Sequence, residues 1–320
     1  MMNYLNTYRR YAYDLDRINY EAKNNAADFV RMAEETFHYD LKLIVEQIIN
    51  MEGDRYIILL SGPSGSGKTT SAKMLTDEFK HHGIDVQLIS MDDFYLGIDY
   101  VCKTPDGKPD FECVEALDIP LIRKTIRQLA ETGECTIPKY DFKISQRSSE
   151  TREIKLTHNS VIIMEGIHAL NPIFSDGMPS DKVVKIYVSV KQGIKSGEDY
   201  VLTNRDIRFL RRSVRDYSFR RVSPEKMIEM WPSVCAGEMK YIRPYRYTSN
   251  FTVNSIHIYE PCIMKNTALE LLYKLEQDAP NREYIDKLIQ SLMRFESIDL
   301  SLVPENSLIR EFVGGGCYIY

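Results

Sequence analysis

Residues 61–70 read Ser61-Gly62-Pro63-Ser64-Gly65-Ser66-Gly67-Lys68-Thr69-Thr70, a glycine-rich run closed by a lysine and two threonines. The spacing G-x-x-x-x-G-K-S/T is that of a phosphate-binding loop. Its flanks suit the assignment. Tyr56 to Leu60 (YIILL) is an unbroken apolar run, as a buried parallel strand reads, and Thr69 to His82 places Ala72, Leu75 and Phe79 at helical spacing. In that setting glycines let successive backbone N–H groups turn inward around phosphate oxygens, while the following helix presents its positive end. Gly62, Ser64, Gly65, Ser66, Gly67, Lys68, Thr69 and Thr70 are the candidate phosphate ligands. Lys68 is placed to reach the β- and γ-phosphates, and Thr69 to offer its hydroxyl to Mg²⁺.

The 320 residues, 43% hydrophobic and 27% charged, suffice for one large α/β domain with appendages or for two domains. A net charge of −5 argues against coating nucleic acid, which needs a positive face. Cys102, Cys113, Cys135, Cys235, Cys262 and Cys317 lie apart without C-x-x-C spacing or a histidine partner, which predicts reduced thiols and no structural zinc. The polar, tyrosine-rich start (MMNYLNTYRRYAYDLDR) lacks the apolar stretch of a signal peptide, and no 18 apolar residues run together. A cytoplasmic protein with no membrane partner is the expectation.

Val30, Ala33, Phe37, Leu41, Ile44, Val45, Ile48 and Ile49 fall at steps of three and four, predicting one long helix over 26–50. Strands are predicted at Val86 to Ile89, Val161 to Met164, Val183 to Val190 and Phe251 to Val253, with intervals long enough for crossovers. That alternation predicts an α/β fold with a doubly wound parallel sheet, its ligands at the carboxyl ends of the strands. Lys103 to Asp110, Ser175 to Asp181 and Gly193 to Glu198 read as exposed loops, and Tyr284 to Phe295 as a last helix before a glycine-rich end. The division expected is a helical extension over 1–52, a P-loop domain over 53–275, and a helical extension and tail over 276–320.

Asp92 and Asp93 follow the second strand, at the lip where a γ-phosphate would lie. An acid there suits a general base, and Asp93 fits equally well as a cap. Glu165 ends the third strand at the position of a Mg²⁺-holding acid, with a structural salt bridge as the alternative. His168 has no evident partner and reads as a structural histidine. Seven arginines fall within residues 205–221, and Arg208, Arg212 and Arg215 share one helical face opposite Ile207, Leu210 and Val214. Such a stripe suits a phosphoryl group beneath a mobile segment, or a solvated face. Between the second and third strands, Glu112, Glu115 and Asp118, with Tyr140 and Phe142, could line an acceptor pocket or serve ordinary packing.

These stretches, from GPSGSGKTT through SMDDFY, TPDGKPDFECVEALD, IPKYDF, IIMEGIHALNP, LRRSVRDYSFR and WPSVCAGEMKYI to VPENSLIREFVGGGC, resemble the uridine kinase and phosphoribulokinase family of P-loop enzymes, above all bacterial uridine-kinase-like proteins. The resemblance implies an arginine-rich lid and an ATP- and Mg²⁺-dependent transfer to the 5′-hydroxyl of a uridine- or cytidine-like nucleoside. Asp92 would be the base, and Lys68, Arg212 and Arg215 would act on the moving phosphoryl group. Thr69, Asp92 and Glu165 would serve the metal, Arg220 the nucleotide, and Tyr95, Glu115, Tyr140 and Arg212 the acceptor. Ser145, Val222 and Met230 stand where well-studied members carry a base-reading histidine, an arginine and a glutamine. A kinase for another small sugar or phosphosugar and a non-kinase NTP-binding regulator are the alternatives. The partner expected is a small-molecule acceptor; homo-oligomerisation is left open.

Overall fold

The computed structural model describes residues 13–51, 56–103, 107, 109–141, 144–157, 159–178, 180–275, 279 and 281–319. Phe142, the lead before residue 13 and parts of the Lys103 to Asp110 and Ser175 to Asp181 loops lie outside them.

A short strand β1 (Tyr13–Asp14) opens into α1 (Leu15–Asn24), whose first N–H groups are capped by Asp14, and then α2 (Ala26–Ile49). The sheet begins with β2 (Tyr56–Ser61), followed by α3 (Lys68–His81) and β3 (Asp85–Ser90). α4 (Ile119–Thr132) leads into the antiparallel hairpin β4 (Glu134–Asp141) and β5 (Gln146–Lys155), and β6 (Ser160–Glu165) returns to the sheet. β7 (Val183–Ser189) precedes a second hairpin, β8 (Ile194–Ser196) and β9 (Asp199–Leu202). Then come α5 (Asn204–Arg220), α6 (Pro224–Gly237), β10 (Phe251–Asn254), α7 (Glu260–Tyr273), α8 (Arg282–Met293) and α9 (Arg310–Val313).

Five strands form one parallel sheet in the order β10-β7-β2-β6-β3. β2 therefore has the chain winding away on both sides, and the crevice beyond its carboxyl end is where such sheets bind ligands. Both faces are buried, which is why the strands read as continuous apolar runs. Ile58, Leu60, Ile163 and Val188 join the core formed with α2, α3, α5 and α7. Ile57, Leu59, Ile162 and Met164 join the one beneath α4 and the β4–β5 hairpin. Leu15, Ile44, Ile48, Leu288 and Phe312, from the two extensions, belong to the first of these cores.

Two expectations change. Gly193 to Glu198 is not an open loop: Ile194–Ser196 pairs with Asp199–Leu202 and with β1, and Ile194 is fully buried. Cys102 and Cys113 are joined in a disulfide, 11 residues apart, because the chain folds back so that the Asp110 N–H donates to the Cys102 carbonyl at 2.7 Å. Spacing alone does not disclose that reversal. Cys135, Cys235, Cys262 and Cys317 carry free thiols. Among the described residues, no helix is long and apolar enough to cross a membrane.

Candidate active site

β2 delivers Ser61 to the carboxyl end of the sheet, where its hydroxyl donates to the Ile167 carbonyl at 2.7 Å and ties the loop to the turn after β6. A Cβ on Gly62 would lie 2.1 Å from the Val188 carbonyl oxygen, so only glycine passes there. Gly65 and Gly67 have φ of +74° and +79°, the left-handed region in which glycine is unstrained. The outer side of the loop is held by α5. Arg208 Nη1 donates to the Ser64 carbonyl at 3.1 Å, Arg211 Nη1 to the Gly65 carbonyl at 3.3 Å, and Arg212 Nη1 to Ser64 Oγ at 2.8 Å. With the carbonyls so engaged, the N–H groups at the start of α3 remain for an anion, as at any helix N-terminus. Ser66 Oγ is buried with no hydrogen-bond partner among the described residues. An orphaned hydroxyl in a cradle a Cβ would fill fits bound phosphate oxygens.

The acids converge from two strand ends. In the sheet register Glu165 lies level with Leu60 on one side and Ser90 on the other. Its Oε1 accepts from Thr69 Oγ1 at 3.3 Å and Ser90 Oγ at 3.2 Å. Burial pushes the Glu165 carboxyl up to about 7, with Lys68 opposing and Asp92 adding to the shift. Asp92 is raised for the same reason, burial, against the attraction of Lys68 and Arg220. Two carboxylates drawn out of water near Lys68, one of them bonded to the Thr69 hydroxyl, make a donor set of oxygen ligands, the chemistry Mg²⁺ takes. Asp93 instead accepts from the Tyr140 N–H at 3.4 Å and so anchors the β4–β5 hairpin.

In the stretch between β3 and β6, Tyr95 packs edge-on against Phe111 and tilted against Tyr140, with ring centroids 5.6 Å and 5.8 Å apart. The Tyr95 hydroxyl donates to the Phe111 carbonyl at 3.1 Å, and the Tyr140 hydroxyl is bonded to Ser145. Of the acids in this stretch, Glu112 is the one set near Arg212 and Lys68. Burial raises its carboxyl to about 7, while Arg212 and Lys68 pull it down. Glu115 is not brought in: it is exposed on a 3₁₀ turn, its carboxylate within 4.8 Å of the Cys102 and Cys113 sulfurs. Sequence spacing did not separate the two acids, since a residue offset of three on an irregular turn has no fixed face. His168 is buried against the Tyr241 ring, and burial lowers it to about 4.

The arginine segment is α5, buried for most of its length. Arg208 pairs with Glu238. Arg211 is fully buried, its Nε 2.5 Å from Glu260 Oε2 and its Nη2 2.9 Å from Glu260 Oε1. Asp216, which the sequence reading passed over, gathers three arginines: Arg212 Nε at 3.4 Å, Arg215 Nε at 2.8 Å and Arg220 Nη1 at 3.5 Å. Arg215 Nη1 also lies 3.5 Å from Glu311, which accepts from the Thr70 hydroxyl. Val222 packs on the core and Met230 stands exposed, so neither substitutes for a polar base contact. A cavity of about 430 Å³, lined by Ile57, Ile162, Leu129, Phe174 and Arg127, opens at the amino ends of the strands, opposite this site.

Known proteins match this arrangement in sequence. A uridine kinase of Lactobacillus helveticus is 31% identical over 175 residues, 55% of this chain and 74% of that protein. One of Borrelia duttonii is 33% identical over 191 residues, 59% and 81% of the respective chains. A solved structure described as a possible uridine kinase from Bacillus stearothermophilus superposes with a TM-score of 0.39 at 23% identity, covering 46% of this chain and 78% of that one, too loosely to add to the sequence match. Residues 57–259, from the strand before the phosphate loop to the start of α7, match the Phosphoribulokinase / Uridine kinase family, and the chain is a phosphotransferase belonging to that family.

Proposed function

We propose that the protein moves the γ-phosphoryl group of ATP to the 5′-hydroxyl of a nucleoside, uridine or cytidine being the first candidates. The observation that carries this is Asp92: a carboxylate on the turn just after β3, raised above its ordinary range by burial and countered by the charge of Lys68. The relatives named uridine kinase support the acceptor class.

In the reaction so read, Asp92 accepts the proton of the acceptor hydroxyl as its oxygen bonds to the γ-phosphorus and the bond to the β-phosphate oxygen breaks, releasing ADP. Lys68 and Arg212 face the phosphate chain, and Arg220 adds positive charge near Asp92. Thr69 and Glu165, with Asp92, would hold Mg²⁺, which when bound neutralises charge on the phosphates. Glu112 accepts hydrogen bonds from the acceptor's hydroxyls, while Tyr95, Phe111 and Tyr140 form the apolar wall against its ring. The unreplaced polar positions at Val222 and Met230 favour a second reading, in which the acceptor is another small sugar or phosphosugar.

A coupled ADP-release screen over nucleosides and sugar phosphates, with wild type beside Asp92→Asn, tests both. Nucleoside-dependent release that falls by roughly 10²–10⁴ in the variant is expected for loss of a general base. A sugar phosphate as the best acceptor selects the second reading, and ADP release that ignores every acceptor removes both.

A further inference from the structure

Glu311 lies outside the residues that match the family, yet it reaches the phosphate loop. Thr70, directly after the metal-facing Thr69, is fully buried, and its hydroxyl donates to Glu311 Oε2. The other oxygen of the same carboxylate stands 3.5 Å from Arg215 Nη1. The two neighbouring threonines thus donate to different acids: Thr69 to Glu165 of the sheet, Thr70 to Glu311 of the tail. Between them these bonds set the rotation of the first turn of α3, whose N–H groups and Thr69 hydroxyl face the phosphates.

The tail is built to hold that carboxylate in place. Leu308, Ile309 and Phe312 are fully buried, and a Cβ on Gly67 would lie 2.7 Å from Leu308 Cδ1. Phe312 lies under the Arg211 guanidinium, 5.1 Å from its ring centroid. Ser307 Oγ donates to Glu34 Oε1 of α2 at 2.7 Å, and Arg310 Nη2 to the Val303 carbonyl at 2.6 Å. Further on, Tyr318 OH donates to Asp77 of α3 at 2.8 Å. A loose surface acid gives no fixed geometry; one on a segment pinned to α2, α3 and α5 does.

We propose that Glu311 is a positioning residue of the nucleotide site, fixing through Thr70 the first turn of α3 that would receive the phosphates and holding Arg215 beside it. The inference rests on the nucleotide-binding part of the reading above. The C-terminal segment would then be part of the donor site and have no direct role toward the acceptor.

The test uses full-length wild type, Glu311→Ala and Glu311→Gln. Steady-state constants for MgATP and for the best acceptor are measured, with binding of a fluorescent N-methylanthraniloyl ATP in the absence of acceptor and the thermal midpoint. Glu311→Ala is expected to raise the MgATP KM and the fluorescent-nucleotide Kd about tenfold, the scale of one charge-assisted hydrogen bond, and to leave the acceptor KM within about twofold. Glu311→Gln keeps an acceptor for Thr70 but no charge for Arg215, and is expected to give about a threefold rise. Unchanged nucleotide constants in both variants, with or without a lower midpoint, reduce Glu311 to a structural brace and overturn the proposal; so does an acceptor KM that rises as far as that for MgATP. If Glu311→Ala does not fold, Glu311→Gln decides by the same criteria. A wild type that binds the nucleotide but phosphorylates no nucleoside refutes the nucleoside reading and leaves this comparison standing. A wild type that binds no nucleotide refutes both.

Discussion

Glu165 is a carboxyl group carried at the end of an apolar strand. Burial raises its carboxyl from the ordinary 4.5 to about 7. A group raised in this way stabilises the fold while protonated; the contribution is complete below pH 4.5 and is lost as pH climbs through about 7. In metal-free buffer, wild type should therefore lose on the order of 2 kcal/mol relative to Glu165→Gln between pH 5 and pH 8, read from urea unfolding of both proteins. Equal pH dependence in the two would show that Glu165 is not held protonated by its surroundings. Glu112 and Glu115 make the second comparison at this scale. On the proposed reading, Glu112→Gln should lower kcat/KM for the acceptor roughly 10- to 100-fold and Glu115→Gln less than about twofold, since only the first removes a buried carboxyl set near Arg212 and Lys68. The family resemblance pointed to Glu115, and residue type and spacing alone did not separate the two acids. Only the 3₁₀ turn at Val114–Ala116 separates them, leaving Glu115 in solvent.

α5 shows how far a helical wheel carries. The apolar stripe of Ile207, Leu210 and Val214 is buried as its spacing predicts. Arg208, Arg212 and Arg215 share a side, Arg208 and Arg212 both reaching Ser64 and Arg212 and Arg215 both reaching Asp216, but that side is not left to solvent. Arg208 is nearly as buried as the stripe because Glu238 and the Ser64 carbonyl meet it, and Arg211 is fully enclosed by Glu260, 49 residues away. A buried guanidinium is tolerated where hydrogen bonds occupy its donors, and Arg211 donates to Glu260, Ser255 and Gly65. Removing the acid leaves that charge without its counter-ion. Glu260→Ala should therefore cost about 3–5 kcal/mol in denaturant unfolding, and a double replacement of Arg211 and Glu260 by apolar residues should recover part of it. A loss under about 1 kcal/mol would mean that the carbonyls of Ser255 and Gly65 suffice for Arg211.

At the scale of the molecule, both extensions are built into the core of the sheet. Ile44 and Ile48 of α2 are fully buried in the cluster that also holds Leu60, Val188 and Phe312. Ile48→Ala should lower unfolding free energy by about 2–5 kcal/mol, with kcat of the folded protein unchanged. A cost of a few tenths of a kcal/mol would mean that α2 rests on the domain without sharing its core. The phosphate loop, the five strands, α2 and α3 were legible in the chain because each depends on neighbours in sequence: glycines where φ is positive, apolar runs where both faces are buried, a period of 3.6 where one face is. The Cys102–Cys113 bridge, the placing of Glu112 near Arg212 and Lys68 with Glu115 in solvent, the Asp216 hub and the carboxylate of Glu311 on Thr70 were not legible. Each joins groups through packing, and whether a charged side chain ends in solvent, in a pair or against a ligand depends on partners that folding brings from tens to hundreds of residues away.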